Sequence, residues 1–453
     1  MIARKTLSIA VAAAVTGSMC MAAPAVALQG AAAQTGTSFA AMATASAGYS
    51  LTADQSKRVA IMLDKLTARF AVGGTQASIT NSTADAALGL QQLAKAYGLN
   101  AASLINADAA LGNLQQNKSV TAGALAKYLL VFKAAGMDSS RYSNYVEQFK
   151  AGALKLLQTE PTASGADYRV YSAVWILPAA VECCPQETEL IEQAVNIIAE
   201  KQAGVGLVAG DYQTTSQAVW ALSFLSSQGT GVSTAVKEQA QAVASKASAA
   251  VMSAQLSNGA WPYNTASSAA NLDTTGWALY VASTYADQSV RNSACAHGLA
   301  YMQSAVDSNL AYFTAASPSN EPMSAAAAIW GLSGAASVLQ IKADSSSLAL
   351  PKVTKLKVKS KKAKRVTVSW VNAKCKKLRA DGYQVRIYKG KKLVKSVSVK
   401  PKDDGTIKKT TIKLAKKYRG KKVKVYVRAY RNKTVLHGAI YSPKSATVKV
   451  KVK

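Results

Sequence analysis

The chain is 453 residues long and sets 54 Lys+Arg against 23 Asp+Glu, a formal net charge of +31 with only two histidines. Its five cysteines, at 20, 183, 184, 295 and 375, are too scattered for a disulfide framework. The length leaves room for more than one domain and for a sizeable core.

Met1 to Lys5 carries two cations, Thr6 to Met21 is apolar, and Ala25-Val26-Ala27 follows. Residues 1–27 therefore read as a secretory signal peptide, and the protein is expected outside the cell. A transmembrane anchor fits less well because the run is short and alanine-rich. Residues 28–49, almost all small or polar, are expected to form a flexible leader.

Thr52 and Gln55 make a capping box opening a helix to about Phe70. Helical periodicity then predicts six pairs: 52–70 with 83–97, 100–114 with 121–135, 139–158 with 167–181, 186–202 with 213–227, 233–256 with 273–286, and 288–306 with 323–338. Within them Gln255-x-x-x-Gly259-x-Trp261 precedes Asn271-Leu-Asp273-Thr274-Thr275-Gly276-Trp277, where Asp273 or Thr274 is placed to cap the next helix. Gln202-x-x-x-Gly206 and Asp211-Tyr212-Gln213-Thr214-Thr215 repeat the arrangement, with Thr214 on Thr274.

These residues resemble the prenyltransferase and squalene oxidase repeat of the terpenoid cyclase-like folds. The resemblance covers roughly residues 50–340 and implies an all-α (α/α)6 toroid over 50–341. The second helix of each pair would then lie inside, its N-terminus facing a common mouth.

Residues 342–350, with Ser345-Ser-Ser347, read as a linker crossed by few contacts. Beyond Pro351 the apolar positions alternate, as in Val366-Thr-Val368-Ser-Trp370 and Val423-Lys-Val425-Tyr-Val427, and predict a β-sandwich over 351–453. Trp370, Gly382-Tyr383, Leu414 and Val427-Arg-Ala-Tyr430 resemble a lysine-rich bacterial fibronectin type III domain, although Val423 stands where the corner tyrosine is common. This segment holds 35 of the 54 basic residues and 3 of the 23 acidic ones, which leaves the first 350 residues near neutrality. Strand lysines oppose edge-to-edge aggregation and also attract polyanions. For an exported protein those are anionic cell-wall polymers or surface glycans. Nucleic acid is not expected, since Tyr426 and Tyr430 alone make no stacking platform.

The chemistry-bearing patterns are sparse. Neither Asn271-Leu-Asp273-Thr274 nor Asp211-Tyr-Gln213-Thr214 pairs the central carboxylates that proton-initiated cyclisation needs. Cys295-Ala-His297 puts its ligands on different helix faces, so we expect a core cysteine beside a surface histidine, with no metal and no cofactor. What remains is a polar and aromatic set at the expected mouth: Tyr168, Asp211, Tyr212, Trp261, Tyr263, Asp273, Trp277 and Glu321. Singly, the aspartates read as helix caps and the tryptophans as repeat packing. Together they suit an oligosaccharide or another small ligand. The sequence thus leads to a secreted, surface-associated binding protein without assigned catalytic residues. A carbohydrate-active enzyme using mouth carboxylates and a cobalamin-carrier-like binder are the alternatives.

Overall fold

In the computed structural model, the described residues are 48–453 except 76–83, 118, 160–166, 227–230, 308–309, 315, 317–319, 372–374, 376–377 and 401–408. The expected signal peptide and nearly all of the expected leader lie outside them. Among the described residues, twelve α-helices precede the two larger antiparallel sheets. The helices are α1 (Ala53–Phe70), α2 (Ala84–Tyr97), α3 (Ala107–Gln116), α4 (Ala122–Ala134), α5 (Ser143–Gln158) and α6 (Arg169–Cys183). They continue as α7 (Thr188–Glu200), α8 (Tyr212–Leu222), α9 (Thr234–Ser253), α10 (Leu272–Tyr285), α11 (Gln288–Ala305) and α12 (Glu321–Val338).

Local chemistry explains the helix starts. Thr52 accepts from the Gln55 amide at 3.2 Å while Gln55 Oε1 accepts from the Thr52 amide at 2.8 Å, the two halves of the capping box. The helix expected from residue 100 is instead a 3-10 turn (Ala101–Ser103) followed by α3, because Asn100 and Asn106 each accept a bond from an amide ahead of them and so cap separately. A 3-10 turn likewise replaces the expected first turn ahead of α5.

The second helices of the six pairs are mutual neighbours in a closed cycle, α2 to α4, α6, α8, α10, α12 and back to α2. Helices α10 and α12, rich in apolar and small residues with few charges, are buried on nearly every side, whereas α1 buries one face and leaves Asp54 and Lys57 in water. In the middle of the cycle Trp175, Trp220, Trp277 and Trp330 meet ring to ring, with centroids from 4.4 to 6.0 Å apart. The axis is therefore filled with indole at this level. Lys127 lies 4.1 Å over the Trp175 ring and pairs with Asp85 at 2.8 Å.

A two-strand ribbon, β1 (Trp261–Pro262) with β2 (Ala270–Asn271), sits between α9 and α10. The C-terminal part contains β3 (Thr354–Lys359), β4 (Arg365–Val371), β5 (Gly382–Lys389), β6 (Lys392–Val399), β7 (Thr410–Lys413), β8 (Lys422–Arg431), β9 (Ile440–Tyr441) and β10 (Val448–Lys451). One sheet runs β3-β4-β7 and the other β10-β8-β5-β6, with β9 beside β8. Alternation sends Val366, Val368 and Trp370 from the first sheet, and Tyr383, Val385, Ile387, Val425 and Val427 from the second, into one shared core.

The connection between the two parts differs from the sparse linker expected. Ile341, Ala343 and Leu348 are buried in the helical core. Buried Asp64 of α1 accepts from Thr434 Oγ1 at 2.8 Å and pairs with His437 Nε2 at 3.1 Å, and Lys65 pairs with Asp381. Buried Arg431 donates to the Leu348 carbonyl at 3.0 Å, to that of Arg379 at 3.2 Å, and to that of Leu378.

Candidate ligand-binding site

The repeated glutamine–glycine unit places the starts of α8 and α10. Gln255 Nε2 donates to the Gly259 carbonyl at 3.1 Å and to Ala294 of α11 at 3.0 Å. Gln202 does the same to Gly206 at 3.2 Å and to Val243 of α9 at 2.9 Å. One side-chain amide thus closes its own turn and fastens it to the next first helix. Gly259 has φ +88°, and a Cβ there would stand 2.8 Å from the His297 ring, so only glycine fits the turn. The chain then bonds forward: the Trp261 amide donates to Thr275 Oγ1 at 3.0 Å, as the Val208 amide does to Thr215 Oγ1 at 2.9 Å. Val208 therefore occupies in one repeat the place of Trp261 in the other.

Asp211 caps α8, accepting from the Thr214 amide at 2.6 Å and from its hydroxyl at 2.8 Å. In α10 the corresponding cap is Asn271, which accepts from the Thr274 amide at 2.9 Å, and not Asp273 or Thr274. Asp273 lies one residue into α10, where burial pushes its carboxyl up and a hydrogen bond with Ser324 opposes the shift.

Above Asp211 the surface is aromatic. Tyr168 is 70% exposed, Tyr171 41% and Tyr263 43%, and the rings of the first two lie 6.1 Å apart. The Tyr263 carbonyl accepts from the Tyr212 amide at 2.8 Å, which holds the ribbon against the start of α8. Burial raises the Asp211 carboxyl, and its charge contributes, after burial, to raising both Tyr171 and Tyr263. Alongside, Asp167 is clamped by Arg169 and Lys201, each at 2.9 Å, and these cations hold its carboxyl far below the usual range. The arrangement offers flat rings with hydroxyl edges around one buried acid, suited to hydrogen-bonding a polar ligand with ring faces.

Sequence reasoning missed Tyr171. Its signal was the three-residue spacing from Tyr168, which puts both rings on one face at the start of α6.

Other expected members stand elsewhere. Trp261 is fully buried, its Nε1 donating to the Val251 carbonyl at 2.7 Å, and Trp277 is 1% exposed within the central indole cluster. Neither presents a ring face to solvent. Tyr212 is buried beneath the ribbon. Glu321 is held in a buried ion pair with Arg69 and also accepts from the Phe313 amide at 3.1 Å, so its carboxylate is committed to structure.

His297, expected at the surface, is buried and stacks on Tyr49 with centroids 4.5 Å apart. Burial lowers its pKa, against a weaker opposing hydrogen bond, and favours the neutral ring. Among the described residues no cluster of three His, Cys, Asp or Glu side chains is placed to hold a metal ion.

Cys183, Cys184, Cys295 and Cys375 are free thiols. Burial pushes the first three up to about 12 and Cys375 up to about 11. At mildly alkaline pH they hold roughly a hundred to a thousandfold less thiolate than an exposed cysteine. Alkylation by iodoacetamide should therefore be slow in the native protein and complete in guanidinium, which mass spectrometry of the labelled peptides checks. Rapid native labelling of Cys295 would contradict its burial.

Compared with protein-family models and with curated proteins, the chain matches none of them. No described helix is long and apolar enough to cross a membrane.

Proposed function

We propose that this is a secreted, surface-associated binding protein, an α/α toroid joined to a fibronectin type III-like sandwich that adheres to anionic wall polymers. The closed cycle of second helices supports the toroid, and the strand orders β3-β4-β7 and β6-β5-β8-β10 support the fibronectin-like fold. The adhesive reading is carried by one observation. Lysines occupy exposed alternate positions of β3 and β10 over an apolar core, while Asp381 is the one carboxylate among the described residues after 351, and it pairs with Lys65 of the helical part. The surplus charge faces water and acts on external polyanions. The toroid presents its tyrosine-lined mouth to an oligosaccharide or other small polar ligand.

Retention of the whole protein on purified cell walls tests the adhesive half. The Debye length contracts from about 10 Å at 0.1 M salt to about 3 Å at 1 M, so retention should fall at least ~10-fold between them. Salt-independent retention would overturn it. For the mouth, Tyr168→Ala with Tyr263→Ala should abolish binding of any glycan captured from an oligosaccharide array, without changing wall retention.

The alternative of a carbohydrate-active enzyme draws on Asp211, whose buried carboxyl beside Tyr171 and Tyr263 has a raised pKa. Both of its oxygens already accept bonds from Thr214, which favours the binding reading.

A further inference from the structure

The outer face of the larger sheet is more than a lysine surface. Residues 384, 386 and 388 of β5 and 424, 426, 428 and 430 of β8 alternate outward from the core, and the register sets Arg386 opposite Tyr426 and Gln384 opposite Arg428. Arg386 and Arg428 are therefore diagonal neighbours, about 7–8 Å apart at their roots.

Each guanidinium is positioned by an aromatic ring and by a polar side chain. Arg428 Cζ lies 3.6 Å over the centroid of Tyr441, and its Nε donates to Gln384 Oε1 at 2.9 Å. Arg386 Cζ lies 5.5 Å over Tyr388, and its Nη1 donates to the Tyr426 hydroxyl at 3.3 Å. The rings of Tyr388 and Tyr426 are nearly parallel, 18° apart with centroids at 5.7 Å, and Lys444 Nζ sits 5.2 Å over Tyr426. Residues 351–453 contain three acidic positions, 381, 403 and 404, none of them on β5, β8 or β9. Among the described residues both forks are thus oriented by neutral partners and keep their charge for an external anion.

We propose that this face binds a carboxylated polysaccharide, with sugar rings lying against Tyr388 and the exposed Tyr441 while their carboxylates are held by Arg386 and Arg428. The proposal rests on the adhesive reading above and names its partner class. A planar guanidinium engages a carboxylate with two parallel bonds, which a lysine cannot do. The tyrosines give sugar ring faces an apolar surface beside a hydroxyl. A flexible glycerol phosphate chain would satisfy the cations and leave the rings unused, so charge and aromatic content together favour the carboxylated sugar polymer.

The test measures binding of the whole protein to polygalacturonate, polyphosphate, single-stranded DNA and neutral dextran at fixed salt. Polygalacturonate should bind best. Arg386→Lys with Arg428→Lys, which preserves charge, should weaken it about tenfold or more and should weaken polyphosphate as well, since a guanidinium also grips phosphate with two bonds, so selectivity for the sugar polymer is read from the aromatic variant. Lys357→Gln with Lys413→Gln, which removes two charges from exposed positions of the other sheet, should weaken every polyanion alike by a smaller factor. Tyr441→Ala should weaken polygalacturonate selectively. Lys357, Lys413 and Tyr441 are exposed and the two arginines half-buried, and an unchanged melting temperature verifies folding. If the arginine-to-lysine protein binds polygalacturonate as the parent does, or if polyphosphate or DNA is preferred, this site is wrong while charge-driven adhesion stands. If no polyanion binds, the adhesive reading fails with it.

Discussion

Gly276→Ala should cost more than about 4 kcal/mol of stability, enough to leave most of the helical part unfolded, whereas Gly112→Ala should gain about 0.5–1 kcal/mol. Both glycines are helical, and the same methyl group is added. At Gly276, α10 crosses α12 backbone to backbone. An added Cβ would overlap the Ala327 carbonyl and stand 2.9 Å from the Ala328 nitrogen, while one on Gly331 across the crossing would stand 2.6 Å from the Gly276 oxygen. Overpacking usually costs about 1–3 kcal/mol because side chains rotate aside; here the obstacles are main chain and cannot. Gly112 has no atom within 4 Å of that position, so alanine only restricts the unfolded chain. Urea denaturation of the two variants decides the matter. Coincident midpoints would show that α10 and α12 can move apart at little cost.

That crossing was only partly legible in the sequence. A run of small residues such as Ala325 to Ala328 lets helices approach closely, but which glycine meets which carbonyl depends on two helices about fifty residues apart. The Gln-x-x-x-Gly units were readable because the bond from glutamine to the glycine carbonyl spans four residues, and both copies make it. Caps were less secure. Asn271 and Asp273 are both plausible acceptors at the start of α10, and only the backbone angles of Asn271 put its carboxamide under the Thr274 amide. For the candidate site, residue type marked Tyr168 and Tyr263 but misled on Trp261 and Trp277. An indole after a repeat glycine packs somewhere; the sequence does not say whether a face is left for a ligand.

The junction between the two parts was the least legible feature, since Lys65 and Asp381 are 316 residues apart and Asp64 and Thr434 are 370 apart, beyond any local pattern. Its consequence is that the protein should unfold in one transition and resist cleavage at residues 342–350, instead of releasing two independently folded fragments. Arg431→Met should reverse both behaviours. It removes the donors to the carbonyls of Leu348, Leu378 and Arg379 and leaves buried acceptors unpaired, at a cost of about 3 kcal/mol or more.

The junction should also respond to pH through His437. The hydrogen bond with Asp64 raises the imidazole pKa above its ordinary value, helped by the Gly438 carbonyl and the Asp64 charge, while burial and the Arg431 charge act against it. A group whose pKa is higher in the folded state stabilises fully below its unfolded pKa, about 6.5, and loses that contribution as pH rises through the folded value. The midpoint of the single transition should therefore fall as pH is raised from about 6 to about 7.5, below the range in which the buried thiols add a loss of their own, and His437→Gln should flatten that fall. Calorimetry and limited trypsin digestion across this range test the coupling. Two separate transitions in the parent protein, or a pH slope unchanged by His437→Gln, would mean that these contacts do not hold the parts together.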